Sequence, residues 1–167
     1  KMQFELDIVM LGSGSLRAEE IGPIITVGDL LNMYPYDETL VRIELTGKEL
    51  KKGILHAMKK SVSVDGSDSE YYQFSKGVRM VYSTGRQVLA DAVFNGEEIR
   101  DQDVFAVGLE LFHYNNIDSF LGLDREIIEQ RKPSRTVTGN IRTAIEEYFR
   151  EHNALRPVYE KRTITTD

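Results

Sequence analysis

The segment "FELDIVML" (residues 4–11) constrains the fold more than any other. It opens as an alternating strand and becomes continuously apolar, the pattern of a central strand covered on both faces. A second strongly apolar strand, "VFAVGLELF" (104–112), runs into the irregular stretch "HYNNIDSF". Strand ends of that kind often carry sites. The chain has 167 residues and 41% hydrophobic content, enough for one core and too few for two ordinary domains, so residues 1–167 read as one domain.

Other elements follow from local signals. In "TVGDLLNMYP", Thr26 with Asp29 three residues later resembles a capping box, and Pro35 closes a short helix. "TLVRIEL" alternates Leu40, Arg42 and Glu44 against Val41, Ile43 and Leu45, as a half-buried strand does. "TGKELKKGILHAMKK" pairs Thr46 with Glu49 and repeats Leu50, Ile54, Ala57 and Met58 at helical spacing, so it is an amphipathic helix. "SVSVDGSDSE" (61–70) is polar and small enough to be a mobile surface loop. From "YYQFSKGVRMVYS" onward, Thr84–Gly85 and Asn95–Gly96 supply positive-φ turn residues for two or three antiparallel strands. Ile141, Ala144, Ile145, Tyr148 and Phe149 mark one face of a helix beginning near Thr138, and "KRTITT" reads as a last strand. The fold class is α+β: one mixed β-sheet flanked by helices.

Several function classes are excluded. The net charge of −6 and the scattered basic residues leave no footprint for a nucleic acid backbone, and no apolar run is long enough to span a membrane. The loop "LGSGSLRAEEIG" (11–22) lacks the lysine of a Walker loop and the third glycine of a dinucleotide fingerprint. It presents backbone N–H groups and the Arg17 guanidinium, which suit either an anion clamp or a structural salt bridge. Histidine occurs only as His56, His113 and His152, without the Asp-x-His or Gly-Asn-His-Asp/Glu elements of metal-assisted hydrolysis, and no serine sits in a nucleophile elbow. A self-contained hydrolase is therefore not expected. Tyr71, Tyr72 and Phe74 gather at the start of one strand and Phe112 ends another; such rings either sandwich a flat base or pack a core. Asp118, six residues beyond Phe112, is able to accept hydrogen bonds from a ribose or an exocyclic group, although an exposed loop aspartate usually does neither.

In order, these fragments resemble the C-terminal domain of the 5'-nucleotidase family, which includes UDP-sugar hydrolases and cyclic-phosphate diesterases. "DIVMLGSGSLR" resembles the family's strand followed by Asn-Gly-Gly-Gly-Ile-Arg, and "ITVGDLLNMYPYDETLVRIELTGKELKKGI" resembles Gly-x-Ile-Thr, a helix, Pro-Phe, a strand and the Leu-Thr-Gly-x-x-Leu helix. "YYQFSKGVRMVYS" is similar to Phe-Leu-Gln-Val-Ser-Gly, and "FHYNNIDSF" to Phe-x-x-x-Gly-Gly-Asp-Gly-Tyr/Phe. The resemblance spans nearly the whole chain.

It implies a substrate-specificity domain with no cofactor of its own. Its partner in cis would be an N-terminal metallophosphoesterase domain that holds divalent metal ions and performs the hydrolysis. By the same resemblance Arg17 holds the substrate, Phe112 and Tyr72 or Phe74 stack a base, and Asp118 binds ribose hydroxyls. The ligand is a nucleoside, a nucleotide or a related small molecule, and the parent protein is periplasmic, secreted or at the cell surface. Three positions depart from the family pattern: Gly12 replaces an asparagine, Glu38 replaces an asparagine in "PYDE", and Ile117 replaces a glycine before Asp118. They leave an alternative from another class, a non-catalytic binding or interaction module that kept the fold without nucleotide recognition.

Overall fold

The computed structural model describes residues 5–61, 71–152, 155–156 and 158–167. Its centre is a five-stranded mixed sheet in the order β3-β1-β7-β2-β8, comprising β1 (Ile8–Gly12), β2 (Leu40–Thr46), β3 (Tyr72–Phe74), β7 (Val104–Glu110) and β8 (Arg135–Thr138). β1 and β7 run parallel, with Met10 opposite Leu109, and the other pairs are antiparallel. A second sheet, in the order β6-β5-β4-β9, contains β4 (Val78–Ser83), β5 (Val88–Phe94), β6 (Glu97–Glu98) and β9 (Thr163–Thr166). The α+β class holds. The single sheet expected from the sequence becomes two, because the β4–β5 hairpin pairs with the C-terminal strand β9 rather than with the central strands.

The doubly apolar character of β1 has a direct structural basis. Ile8 and Met10 join the main core with Val41, Ile43, Leu45, Val107 and Leu109, while Val9 and Leu11 pack on the opposite face against Tyr34, Leu40 and Ile141. The main core is closed by α2 (Gly47–Ser61) through Leu50, Ile54, Ala57 and Met58, and by Val78, Met80 and Tyr82 of β4. The other face is covered by α1 (Val27–Met33) and α6 (Ile141–Glu151), which contact each other. Between β7 and β8 lie three short helices, α3 (Leu111–Asn115), α4 (Ile117–Leu121) and α5 (Arg125–Arg131).

Both predicted capping boxes form. Thr26 Oγ1 accepts the Asp29 N–H at 3.2 Å while the Asp29 carboxylate accepts the Thr26 N–H at 2.7 Å. Thr46 and Glu49 repeat the exchange at 3.2 and 2.8 Å. Asn95 and Gly96 take the positive φ expected of them, at 52° and 86°. At the other hairpin the left-handed residue is Gln87, with φ of 53°, and not Gly85, because the turn spans Thr84–Gln87 and its strain falls on the closing residue. The last long helix is capped by Asn140 rather than beginning near Thr138, whose segment forms β8. The loop expected over 61–70 lies, beyond Ser61, outside the described residues.

Close approach at the start of α2 depends on a glycine. A Cβ at Gly47 would stand 2.0 Å from the Arg100 carbonyl oxygen, which is backbone and has no free rotation to yield. Gly47→Ala is therefore expected to destabilise the fold by about 2–3 kcal/mol, lowering Tm by about 5–10 °C. Gly28→Ala in α1 meets only Thr26 Oγ1 at 3.5 Å. It is expected to leave stability unchanged or raise it by about 0.5 kcal/mol. Denaturant unfolding of both variants checks the contrast, and equal losses would refute it.

Candidate functional site

The sheet register gathers five chain segments at one end. β1 and β7 are parallel, so Gly12 and Glu110 leave the sheet side by side, while β3 begins opposite Gly12 at Tyr72 and β2 begins opposite Glu110 at Leu40. The short 3-10 turn Ser13–Ser15, the segment 34–39, Tyr71 and helices α3 and α4 therefore all meet there.

Glu110 occupies the centre of this end with only 1% of its surface exposed. Its Oε1 accepts the Tyr34 hydroxyl at 2.7 Å, and its Oε2 accepts the Ser15 hydroxyl at 2.7 Å and the Gly12 N–H at 3.3 Å. His113 Nδ1 lies 2.9 Å from Oε2, off the hydrogen-bond direction, so that contact is electrostatic rather than an aligned hydrogen bond. Burial pushes the Glu110 carboxyl up, but the contacts from His113, Tyr34 and Ser15 outweigh it and hold the group below the ordinary carboxylate range. The Tyr34 hydroxyl moves the opposite way, first through burial and then through its bond to the Glu110 carboxylate, so it stays protonated and donating. Nε2 of His113 has no hydrogen-bond partner among the described residues. The imidazole is ringed by Tyr72, Phe112 and Phe120 at centroid distances of 5.3, 5.5 and 4.8 Å.

Arg17 stands beside this centre on the surface. Its backbone N–H donates to the Met33 carbonyl at 2.8 Å and its Nε donates to the Tyr36 hydroxyl at 2.7 Å. The guanidinium lies over the Tyr36 ring, 5.6 Å from the centroid. Its two terminal nitrogens make no hydrogen bond or ion pair among the described residues. Of the two readings open for Arg17, the structural salt bridge is thus absent among those residues. Phe112 is 54% exposed at the start of α3, its ring 5.6 Å from that of Phe120. Asp118 is exposed in the first turn of α4.

Tyr72 and Phe74, the expected stacking partners, are core residues at 5% and 4% exposure. Strand alternation turns both inward, where Tyr72 meets His113. The exposed ring of that cluster is Tyr71, tied to the Ser13–Ser15 turn by Ser13 N–H to Tyr71 O at 2.7 Å and Tyr71 N–H to Ser13 Oγ at 3.1 Å. Ile117 is fully buried, so its side chain adds no bulk to the surface here. Tyr71 belongs to the aromatic cluster noted in the sequence, whereas Tyr34, Tyr36, Glu110 and His113 carry no site signal there beyond a lone carboxylate inside the apolar run "VFAVGLELF".

Among the described residues no three His, Cys, Asp or Glu side chains converge as a metal ion would require, and the buried imidazole of His113 already faces a carboxylate and three rings. No helix there is long and apolar enough to cross a membrane. A separate groove of about 1060 Å³ runs between residues 21–30 and the end of α6, past Val27, Leu30, Tyr148 and Phe149. Its lining includes none of Arg17, Glu110, Phe112 and Asp118, so it is distinct from the sheet end where Glu110 is buried.

Several solved structures share this architecture, three of which illustrate its range. A 5'-nucleotidase precursor from Thermus thermophilus is 20% identical and superposes with a TM-score of 0.74, over 96% of this chain and 31% of its own. The NAD nucleotidase of Haemophilus influenzae is 18% identical at a TM-score of 0.79, over 98% of this chain and 30% of its own. The sulfate thiohydrolase SoxB of Thermus thermophilus, solved with glycerol, is 15% identical at 0.62, over 96% and 29%. The chain thus spans about a third of the length of each relative. No curated protein sequence matches it. The family described as "5'-nucleotidase, C-terminal domain" matches residues 1–124, nearly three quarters of the chain and all of the site just described. The chain belongs to the 5'-nucleotidase C-terminal domain family.

Proposed function

We propose that this domain binds the nucleoside or sugar portion of a phosphate ester, on behalf of a metal-dependent phosphoesterase domain that lies outside this sequence. The observation that carries the reading is Arg17, held by the Tyr36 hydroxyl and ring with its terminal nitrogens unengaged, at the sheet end that exposes Phe112 and Tyr71. A guanidinium fixed at Nε offers its fork to a carboxylate, phosphate or hydroxyl, and exposed rings offer faces to a planar base. Asp118 supplies an acceptor for sugar hydroxyls. Two of the structural relatives are named for nucleotides, which agrees with this reading, whereas the sulfate thiohydrolase shows that the fold alone does not select one ligand.

Phosphate binding is not assigned to this end. Glu38, half-buried in the segment 34–39 beside Arg17, puts a carboxylate where the family pattern has an asparagine. That suits hydroxyl-rich ligands better than anions. By family likeness, the parent is an exported protein and the domain itself is non-catalytic.

Isothermal titration with adenosine and uridine tests the reading. The domain is expected to give saturable heat with at least one nucleoside, and Phe112→Ala or Tyr71→Ala to weaken it by about 1–3 kcal/mol each. Arg17→Ala is expected to weaken binding with little change in stability. A flat titration with both nucleosides, confirmed by unmoved NMR signals at millimolar ligand, would favour the interaction module instead. The two neighbouring tyrosines also separate by stability. Tyr72→Ala is expected to cost about 3–4 kcal/mol of folding free energy, because it empties a buried ring site, and Tyr71→Ala under about 1 kcal/mol. Thermal melts of the pair check this, and equal losses would mean that both rings are structural.

A further inference from the structure

We propose that Glu110 is the positioning residue of this site, its one buried carboxylate setting the spacing between the loop that carries Arg17 and the helix that carries Phe112. The inference rests on reading this end as the ligand-binding end, and deepens it by naming what holds the two arms in register.

Four groups converge on the carboxylate from three separate segments. Gly12 N–H and Ser15 Oγ–H belong to the loop leading to Arg17, Tyr34 Oη–H follows α1, and His113 lies on α3 one residue after Phe112. From there two chains of contact run outward. On one side the Tyr34 ring meets the edge of Tyr36 at 6.0 Å, and the Tyr36 hydroxyl accepts from Arg17. On the other the His113 imidazole sits between Phe112 and Phe120 at 5.5 and 4.8 Å. Packing alone would need only an apolar side chain at position 110, and a buried charge is costly unless donors surround it. Three donors on the Arg17 side and the close His113 imidazole on the Phe112 side meet at one carboxylate, so its position fixes the two arms relative to each other. Glutamine replaces it poorly: with its amide oxygen kept toward Ser15 and Gly12, its N–H₂ faces the Tyr34 hydroxyl, which then has to accept and loses the acceptor for its own proton.

The test compares wild type, Glu110→Gln and Glu97→Gln, the last an exposed carboxylate on β6. Two-dimensional NMR follows the Arg17 Nε–Hε signal, the Phe112 ring signals and, as fixed references, the methyls of buried Ala57 and Ala92. Glu110→Gln is expected to move the Arg17 and Phe112 signals together while the reference methyls stay in place, and Glu97→Gln to move neither. Adenosine affinity is expected to fall about tenfold in Glu110→Gln only. Shifts confined to α3, with Arg17 unmoved, overturn the proposal. If Glu110→Gln does not fold, acid titration of wild type decides instead. The ionisable groups facing the carboxylate are Tyr34 and His113 at contact, with Glu38 acting through Tyr34 and Tyr72 packed on His113. As pH falls, Arg17 and Phe112 are expected to shift with the Glu110 carboxyl carbon at one shared midpoint below the ordinary carboxylate value of about 4.3. Separate midpoints overturn the proposal. Neither NMR arm needs ligand, so a wild type that takes up neither adenosine nor uridine refutes the nucleoside reading alone and leaves the coupled shifts to decide on Glu110.

Discussion

A charge buried to 1% exposure has to be met by donors, and at Glu110 that requirement organises one whole end of the sheet. The donors cannot come from β7 itself, whose backbone groups are committed to β1 and β2. They come from the loop after β1 and from Tyr34 behind α1, while the His113 imidazole of α3 lies against the same oxygens, so three segments that share no secondary structure meet at one carboxylate. Because Tyr34 stays protonated and Glu110 stays ionised for complementary reasons, the arrangement keeps its polarity over a wide pH range. The surface features of this end hang from that buried pair.

Close packing elsewhere brings the segments near enough for this to work. Gly108 sits in the middle of β7 where a Cβ would press on the Leu6 side chain at 3.0 Å and on Leu40 at 3.5 Å, so the strand presents no bulk to the layer above it. Gly53 does the same for α2, where an added Cβ would stand 3.3 Å from the side chains of Leu121 and Leu123. That contact seats α4, and with it Asp118, against the main core. Gly122, at φ of 60°, then turns the chain away under His56. The geometry of the site is therefore set by backbone approaches as much as by its polar residues.

What is legible in the sequence is what is local. The boxes Thr26–Asp29 and Thr46–Glu49 span three residues, and the two-faced burial of β1 follows from a run of adjacent apolar side chains. The second sheet is not legible, because β9 pairs in parallel with β4, and Ile164 lies opposite Val81 far back in the chain. Which ring of "YYQF" is exposed is not legible: alternation assigns Tyr71 and Tyr72 to opposite environments, and no local signal says which phase faces the core. The hub at Glu110 is least legible of all, since Tyr34 and Ser15 reach it across 76 and 95 residues of chain. β8 gives no such signal either, because its four residues, Arg135–Thr138, carry too short an alternation to stand out.

Arg17 shows how such a domain keeps a charge available. A carboxylate partner would hold the guanidinium more strongly, but would also neutralise it and occupy its fork. The Tyr36 hydroxyl takes only Nε, and the ring beneath adds attraction without using the remaining donors. The same division of labour recurs one step inward, where Tyr34 meets the Glu110 carboxylate and so leaves the Tyr36 hydroxyl free to accept from Arg17. The fold shared with relatives of different named chemistry supplies the sheet and the helices. Under the proposed function, the choice of ligand falls to side chains at the strand ends rather than to the shared sheet and helices.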